Sequence, residues 1–567
     1  MVRQRALPAL VVLLAAASAN AQFPDTAALR AKLRSRDVDV QRFALLELGR
    51  FELSSLIPAI VPSLQSPLPE VRAQAADAIG QAAQGWRTVP PNTRSTVSPE
   101  SVVETLVARL KAEPEALVRA AITEAIGRLP YTTAGQVATA MTALVQTAPG
   151  DTVTDRLGIA AGLEETVRLN RTLLPAAAGF VPRLRTLAAS DPSRDARVRR
   201  LAIEALNNLG DPDAVDDPLV ARVASDPDMQ VRRLAMRAAA SRASSNVALE
   251  VLARGTKDEA AMVRMEALGA LGSLGDESVC QAARFATDDR DMHVVLRAFD
   301  ELARCGQSAE DVALLEQAVN DLSQVGNPRG WHRTAHALVA LAAAQPERAR
   351  MLLAQFVSSK NWALRMYAAR AATTLRDQAS LEQLVGDADA NVKDAANTGL
   401  VVLGMRKETR PPVARGVAAR SELNAADLRN LSLLRARVTI RDIGTFEMAL
   451  LPVEAPLTVT RVVSLAEAGR YNGLVIQRVL PNVAVEVDTP PEDSSGLAVL
   501  TRDEAGPWPH VRGAVGINDE SGFFIDLSDN PQFNHQFTVF AQLLSGMDVV
   551  DALLEGDIIE RVDIVKP

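Results

Sequence analysis

Asp226-Pro-Asp-Met-Gln-Val231-Arg232-Arg-Leu-Ala235 is one statement of a phrase that this chain writes repeatedly. It returns as Asp258-Glu-Ala-Ala-Met-Val263-Arg264-Met-Glu-Ala267-Leu-Gly-Ala-Leu-Gly, and Asp195-Ala-Arg-Val198-Arg199-Arg-Leu-Ala202-Ile-Glu-Ala-Leu precedes it. Pro69-Glu-Val71-Arg72-Ala-Gln-Ala75 and Ala116-Leu-Val118-Arg119-Ala-Ala121 carry the same phrase, with weaker copies at Val40, Val294, Trp331, Leu364 and Val392. Val198, Val231, Val263 and Val294 stand 33, 32 and 31 residues apart. A fixed period of this length marks a repeat array. In each unit one helix ends at an Asp/Pro/Gly turn and a second begins on Asp or Glu, which suits a helix N-terminus. Apolar residues then recur at three- and four-residue spacings, a stripe that one helix pair cannot bury alone, so neighbours must stack. The wide gap between Val71 and Val118 contains Trp86 to Pro99, a Pro/Ser/Thr-rich loop insertion. The wider gap from Val118 to Val198 hides one or two degenerate copies.

The Val-Arg-x-x-Ala-x-x-Ala-Leu-Gly phrase resembles HEAT repeats over residues 24–405, about ten or eleven in all. The resemblance implies an α-solenoid of helix pairs that serves as a protein-binding scaffold. It also implies that the in-phase Arg72, Arg119, Arg199, Arg232, Arg264 and Arg365 pair with acidic groups of neighbouring repeats rather than with phosphate. His332 and His336 lie one helical turn apart, but no third ligand accompanies them, so no metal is expected there. Cys280 and Cys305 fall in adjacent helices, and both a disulfide and two buried thiols remain open.

The whole chain is 567 residues, with 61 Lys+Arg against 69 Asp+Glu. Hydrophobic residues at 48% and charged residues at 23% describe a folded chain rather than a disordered one. Two Cys exclude a disulfide scaffold and a Cys-rich metal protein. From residue 436 onward 9 Lys+Arg face 20 Asp+Glu, against 52 and 49 before it. Neither part has the basic excess that nucleic acid requires. Met1 to Ala21 opens with Arg3 and Arg5, runs apolar from Ala6 to Ala19, and ends in Ala19-Asn20-Ala21. This is a secretory signal pattern with cleavage before Gln22, and it predicts export, most simply to a bacterial periplasm. No later run is long and apolar enough to expect a membrane span.

After Gly404 the pattern changes. Residues 406–435 read as a Pro-containing linker with a short helix, and from Val438 the sequence alternates as strands do. Gly444-Thr-Phe446-Glu-Met-Ala-Leu-Leu-Pro452, Val463-Ser-Leu465-Ala-Glu-Ala-Gly469-Arg-Tyr471-Asn-Gly473 and Val475-Ile-Gln-Arg478-Val-Leu-Pro481 come in that order. Arg512-Gly513-Ala-Val-Gly516, Gly522-Phe523-Phe524-Ile525, Asn530-Pro531, Thr538-Val-Phe540 and Ser545-Gly546-Met547-Asp548 follow. Residues 436–567 thus resemble a cyclophilin. The resemblance implies a closed eight-stranded antiparallel β-barrel with two helices and peptidyl-prolyl cis-trans isomerisation, with no metal or cofactor. Its expected partner is a proline-containing peptide or an unfolded protein; the sequence leaves the oligomeric state open.

The resemblance places the catalytic guanidinium at Arg478 and the wall that grips the proline ring at Phe524. Val483, Ala484, Glu486, Asn518, Phe533 and Phe537 would complete the groove. Here the chain departs from the family. Val483-Ala-Val-Glu486 replaces a Phe-Met-x-Gln, Gln532-Phe533 replaces Trp-Leu, and Phe537 replaces a His. A carboxylate at Glu486 only accepts hydrogen bonds, so it is expected to pair with Arg478 and compete with substrate. Two readings follow: an exported isomerase joined to a protein-binding scaffold, or a cyclophilin-fold binding module with little turnover.

Overall fold

The computed structural model describes residues 25–87, 97–147, 150–174, 179–191, 196–242, 244–274, 277–305, 308–323, 325–327, 329–407, 425–487, 503–517 and 522–566. The secretory pattern, most of the linker and Asn518 lie outside them.

Residues 26–402 form eleven stacked helix pairs among the described residues. In the pair built on the opening phrase, Asp228 caps the helix Met229–Ala240 by accepting from the amides of Gln230 and Val231. Val231 and Ala235 are fully buried. The gap after Val118 hides one copy, the helices Ala134–Thr142 and Val153–Asn170. It escapes the phrase because its inner helix begins at Thr152-Val-Thr-Asp155 with no Val-Arg. Small residues bring these helices together: a Cβ added at Gly127 would meet the Gly162 carbonyl oxygen at 2.2 Å.

The in-phase arginines form the expected ladder between repeats. Arg199 reaches Asp226 through Nε at 2.6 Å and Nη2 at 2.8 Å. Arg232 does the same to Asp258, Arg264 to Asp289 and Arg365 to Asp387. Arg72 and Arg119 take Glu113 and Asp155. Cys280 and Cys305 are disulfide-bonded, with Cα atoms 5.6 Å apart. His332 stacks on Trp331, and His336 hydrogen-bonds the Tyr367 hydroxyl at 2.6 Å, so neighbouring side chains engage both imidazoles separately.

Beyond the linker, a short helix Ala425–Ser432 leads into eight strands: β1 Arg435–Ile440, β2 Gly444–Leu450, β3 Ile476–Leu480, β4 Ala484–Val487, β5 Ala514–Ile517, β6 Phe523–Asp526, β7 Val539–Ser545 and β8 Ile559–Val565. They make one antiparallel sheet in the order β3-β4-β6-β5-β7-β2-β1-β8. The expected barrel closes less completely than a full ladder would allow. Edge strands β3 and β8 meet through the isolated bridge Val475–Ile558. Two helices, Pro456–Glu467 and Met547–Asp551, accompany the sheet. Its core, including Val438, Phe446, Val485, Val515, Ile525 and Phe540, is separate from those of the solenoid.

The barrel is clasped by the solenoid. From the first repeat, Arg50 donates to the carbonyls of Glu504 at 2.7 Å and Ala505 at 2.9 Å. In the middle repeats, Gln230 accepts from the Asp529 amide at 2.7 Å, and Met262 accepts from Asn482 at 3.1 Å. From the tenth, Tyr367 and Arg370 hold Glu555. One barrel touched from the first repeat to the tenth requires an array that curves around it. The sequence shows two unrelated patterns; their mutual packing is what it conceals.

Candidate functional site

Antiparallel pairing places Arg478 opposite Glu486, Glu486 opposite Phe524, and Phe524 opposite Gly516, so β3, β4, β6 and β5 carry one continuous row. Side chains alternate faces along a strand. The neighbouring row of Val485, Ile525 and Val515 is fully buried in the barrel core. The Arg478 row therefore faces outward, with Ala484 and Asp526 on the same face one step along.

Arg478 and Glu486 form the pair that their chemistry suggests. Nε lies 3.0 Å from Oε2, and Nη2 lies 2.7 Å from both Oε1 and Oε2. The guanidinium side chain is 48% exposed and the carboxylate 23%, so the pair is open to solvent and to a ligand. Among the described residues Nη1 has no partner.

Phe524 is nearly buried and forms the floor of an aromatic cluster. Its ring centroid is 6.0 Å from those of Phe533 and Phe537, which lie 5.4 Å from each other in an edge arrangement. Gly516 makes room for it, since a Cβ there would meet Phe524 Cζ at 2.3 Å. Val483 sits on the turn before β4, and its carbonyl accepts from the Leu527 amide at 2.9 Å and from Asn530 Nδ2 at 2.9 Å. Arg478, Glu486 and Phe524 thus share one row with Ala484 a step along, and Phe533 and Phe537 pack against Phe524, whereas Val483 takes part only through its carbonyl. Ser528 donates to the Asn482 carbonyl at 2.6 Å and has a turn-holding role.

One residue missed by the sequence reading lies beneath this cluster. His510 stacks on Phe524, with centroids 5.6 Å apart and planes 12° from parallel. Its Nδ1 is 2.8 Å from Asp526 Oδ2, and Asn530 Nδ2 donates to the other oxygen of Asp526 at 2.7 Å. Burial pushes the Asp526 carboxyl above its usual range. The Asp526–Asn530 pair holds His510, whose ring stacks on Phe524. The signal was faint: a His two residues before Arg512-Gly513, in a loop with no other polar pattern.

The loop carrying Phe533 and Phe537 is pinned to the solenoid. Asp529 accepts from Arg200 at 3.2 Å and from Gln230 at 3.3 Å. His535, between the two Phe residues, has φ +60° and inserts its imidazole among the inner helices, 3.1 Å from Glu124 Oε1. The aromatic wall of the groove is thus held from outside the barrel.

Comparison with known proteins agrees with this architecture. Residues 435–566 match the family model for cyclophilin type peptidyl-prolyl cis-trans isomerase, and residues 26–127 and 217–303 match HEAT repeats. A probable peptidyl-prolyl cis-trans isomerase of Brucella suis is 30% identical over 179 residues, covering 27% of this chain and 87% of the relative. Peptidyl-prolyl cis-trans isomerase B of Bacillus subtilis is 30% identical over 132 residues, covering 22% and 92%. A peptidyl-prolyl cis-trans isomerase of Helicobacter pylori is 31% identical over 130 residues, covering 21% and 80%. With its eight-stranded barrel, its outward Arg478 row and these relatives, the chain belongs to the cyclophilin-type peptidyl-prolyl cis-trans isomerase family, with its isomerase-type domain set in an array of HEAT repeats.

Proposed function

We propose that this chain is an exported prolyl isomerase whose turnover is held down by its own Glu486. The observation that carries the reading is the outward row Arg478–Glu486–Phe524. An X–Pro bond keeps partial double-bond character, and its uncatalysed exchange takes roughly 10–100 s. Rotation is eased when a cation draws on the prolyl amide and weakens its resonance. Arg478 suits that task because guanidinium is permanently charged and presents fixed donors. Phe524, walled by Phe533 and Phe537, suits the grip on a proline ring. Neither task requires a nucleophile, metal or cofactor.

Glu486 works against the first task. Two nitrogens of Arg478 are engaged by its carboxylate in charge-assisted hydrogen bonds. A substrate must displace them or use Nη1. This same observation favours a second reading, in which the groove binds proline peptides and turns them over poorly. Export is supported by the secretory pattern of residues 1–21 and by the Cys280–Cys305 bond, which suits an oxidising compartment. Client proteins would reach the groove through its solvent-facing Arg478 side, since the solenoid holds the opposite rim. Exchange NMR on a proline peptide with the full chain tests the proposal. Exchange cross-peaks that require Arg478 support it, and binding shifts at Phe524 without exchange support the second reading.

A further inference from the structure

Where the solenoid grips the barrel there is a buried group of charges that the isomerase chemistry does not use. His535 from the barrel, Glu124 from the helix Ala116–Arg128 and Glu165 from the helix Val153–Asn170 each offer one ligand atom, all within 4.8 Å of one another. His535 Nε2 is 3.1 Å from Glu124 Oε1 and 3.9 Å from Glu165 Oε1. Tetrahedral zinc binds His nitrogen and carboxylate oxygen at about 2.0–2.2 Å, which sets neighbouring ligand atoms roughly 3.3 Å apart.

A second observation concerns one of these three side chains. The Glu165 side chain is only 4% exposed, and its Oε2 has no hydrogen-bond partner. Among the described residues no Arg or Lys lies within ion-pair distance of it. Leaving a buried carboxylate unpaired is costly, so this oxygen requires a proton or a cation. Arg128 pairs with Asp77 at 2.6 Å, with its Nε and Nη1 lacking a hydrogen-bond partner, and Arg168 pairs with Glu164 at 2.9 Å; neither comes within ion-pair distance of Glu165.

We propose that Glu124, Glu165 and His535 bind one zinc-class divalent ion at the seam between solenoid and barrel, and that this ion fastens the loop carrying Phe533 and Phe537. The three donors come from two repeats and from the barrel loop, so the site exists only when the two parts are docked. A metal there would clamp the assembly without touching Arg478 or Phe524.

The test uses the full-length chain, stripped with a chelator and desalted. Zinc chloride is added and bound metal is measured by mass spectrometry, with cobalt(II) absorption as a second readout. About one zinc per chain, a d–d band from the cobalt form and a melting temperature raised by zinc are expected. Glu165→Gln and His535→Asn, the latter tolerant of the left-handed backbone, should each weaken zinc uptake by roughly tenfold or more. Circular dichroism checks that both variants are folded. A stripped wild-type chain that takes up no zinc at several-fold excess overturns the proposal and leaves Glu165 protonated. Uptake that survives both substitutions also overturns it.

Discussion

Arg370 in the tenth repeat holds Glu555 of the barrel through two nitrogens, Nη1 at 2.9 Å and Nη2 at 2.6 Å, across 185 residues of sequence. Tyr367 donates to the same carboxylate at 2.8 Å. The contact fixes one end of the clasp. Hydrogen bonds to charged groups contribute about 1.5–3 kcal/mol each, less where solvent screens them. Arg370→Met should therefore cost about 1–2 kcal/mol in urea unfolding of the full chain. Combined with Glu555→Gln, the loss should be less than the sum of the two. Additive losses would mean that the two residues do not act together.

The repeat ladder offers a contrast in burial. Arg199 is 1% exposed and paired with Asp226, whereas Arg237, paired with Glu204, is 38% exposed. Removing one partner of a buried pair strands the other, at a cost of about 3–5 kcal/mol. An exposed pair contributes about 0–1 kcal/mol. Arg199→Met should destabilise the array strongly and Arg237→Met barely. Equal losses in thermal unfolding would refute the distinction.

Acid should loosen the clasp through His336. Burial first, and then the Arg370 charge, push this imidazole down to about 3. As pH falls below about 6.5 the unfolded chain takes up a proton there that the folded chain refuses. The stability that His336 confers is complete above that pH and is lost progressively toward pH 3. Buried carboxyls such as Asp526 act in the opposite sense, so the informative quantity is wild type minus His336→Gln. That difference should shrink on acidification between pH 7 and 4; a flat difference would contradict it.

Reduction should also destabilise the chain. The Cys280–Cys305 bond closes a loop with a sequence separation of 25 residues. Restricting a loop of that size in the unfolded state is worth about 3 kcal/mol. Dithiothreitol should lower the melting temperature of the wild type and leave the Cys280→Ser/Cys305→Ser double variant unchanged. An equal response in both would show that the bond contributes nothing.

Much of this was legible in the sequence because it is local or periodic. The Val-Arg phrase marked the repeats, and the in-phase arginines found the acidic groups that such arrays supply. Arg478 and Glu486 lie eight residues apart, and their pairing was legible through the resemblance that put both in one groove, with a carboxylate standing where an amide is usual. His510 beneath Phe524 was not legible, because stacking and its bond to Asp526 depend on loop paths that no period records. His535 was passed over for the same reason: its partners Glu124 and Glu165 lie some 400 residues earlier. The docking of barrel into solenoid rests on single contacts such as Arg50 to Ala505, each lacking a pattern of its own.

The most direct test is the isomerase rate of three full-length chains: wild type, Glu486→Gln and Arg478→Ala. Replacing the carboxylate by an amide removes the charge that engages Arg478 and keeps the shape. A half-exposed pair of this kind is worth about 1 kcal/mol, so kcat/KM should rise roughly fivefold in Glu486→Gln. Arg478→Ala should fall to the uncatalysed rate. A wild-type rate retained in Arg478→Ala, or a Glu486→Gln chain no faster than wild type, would contradict the assignment of Arg478 as the catalytic cation restrained by Glu486.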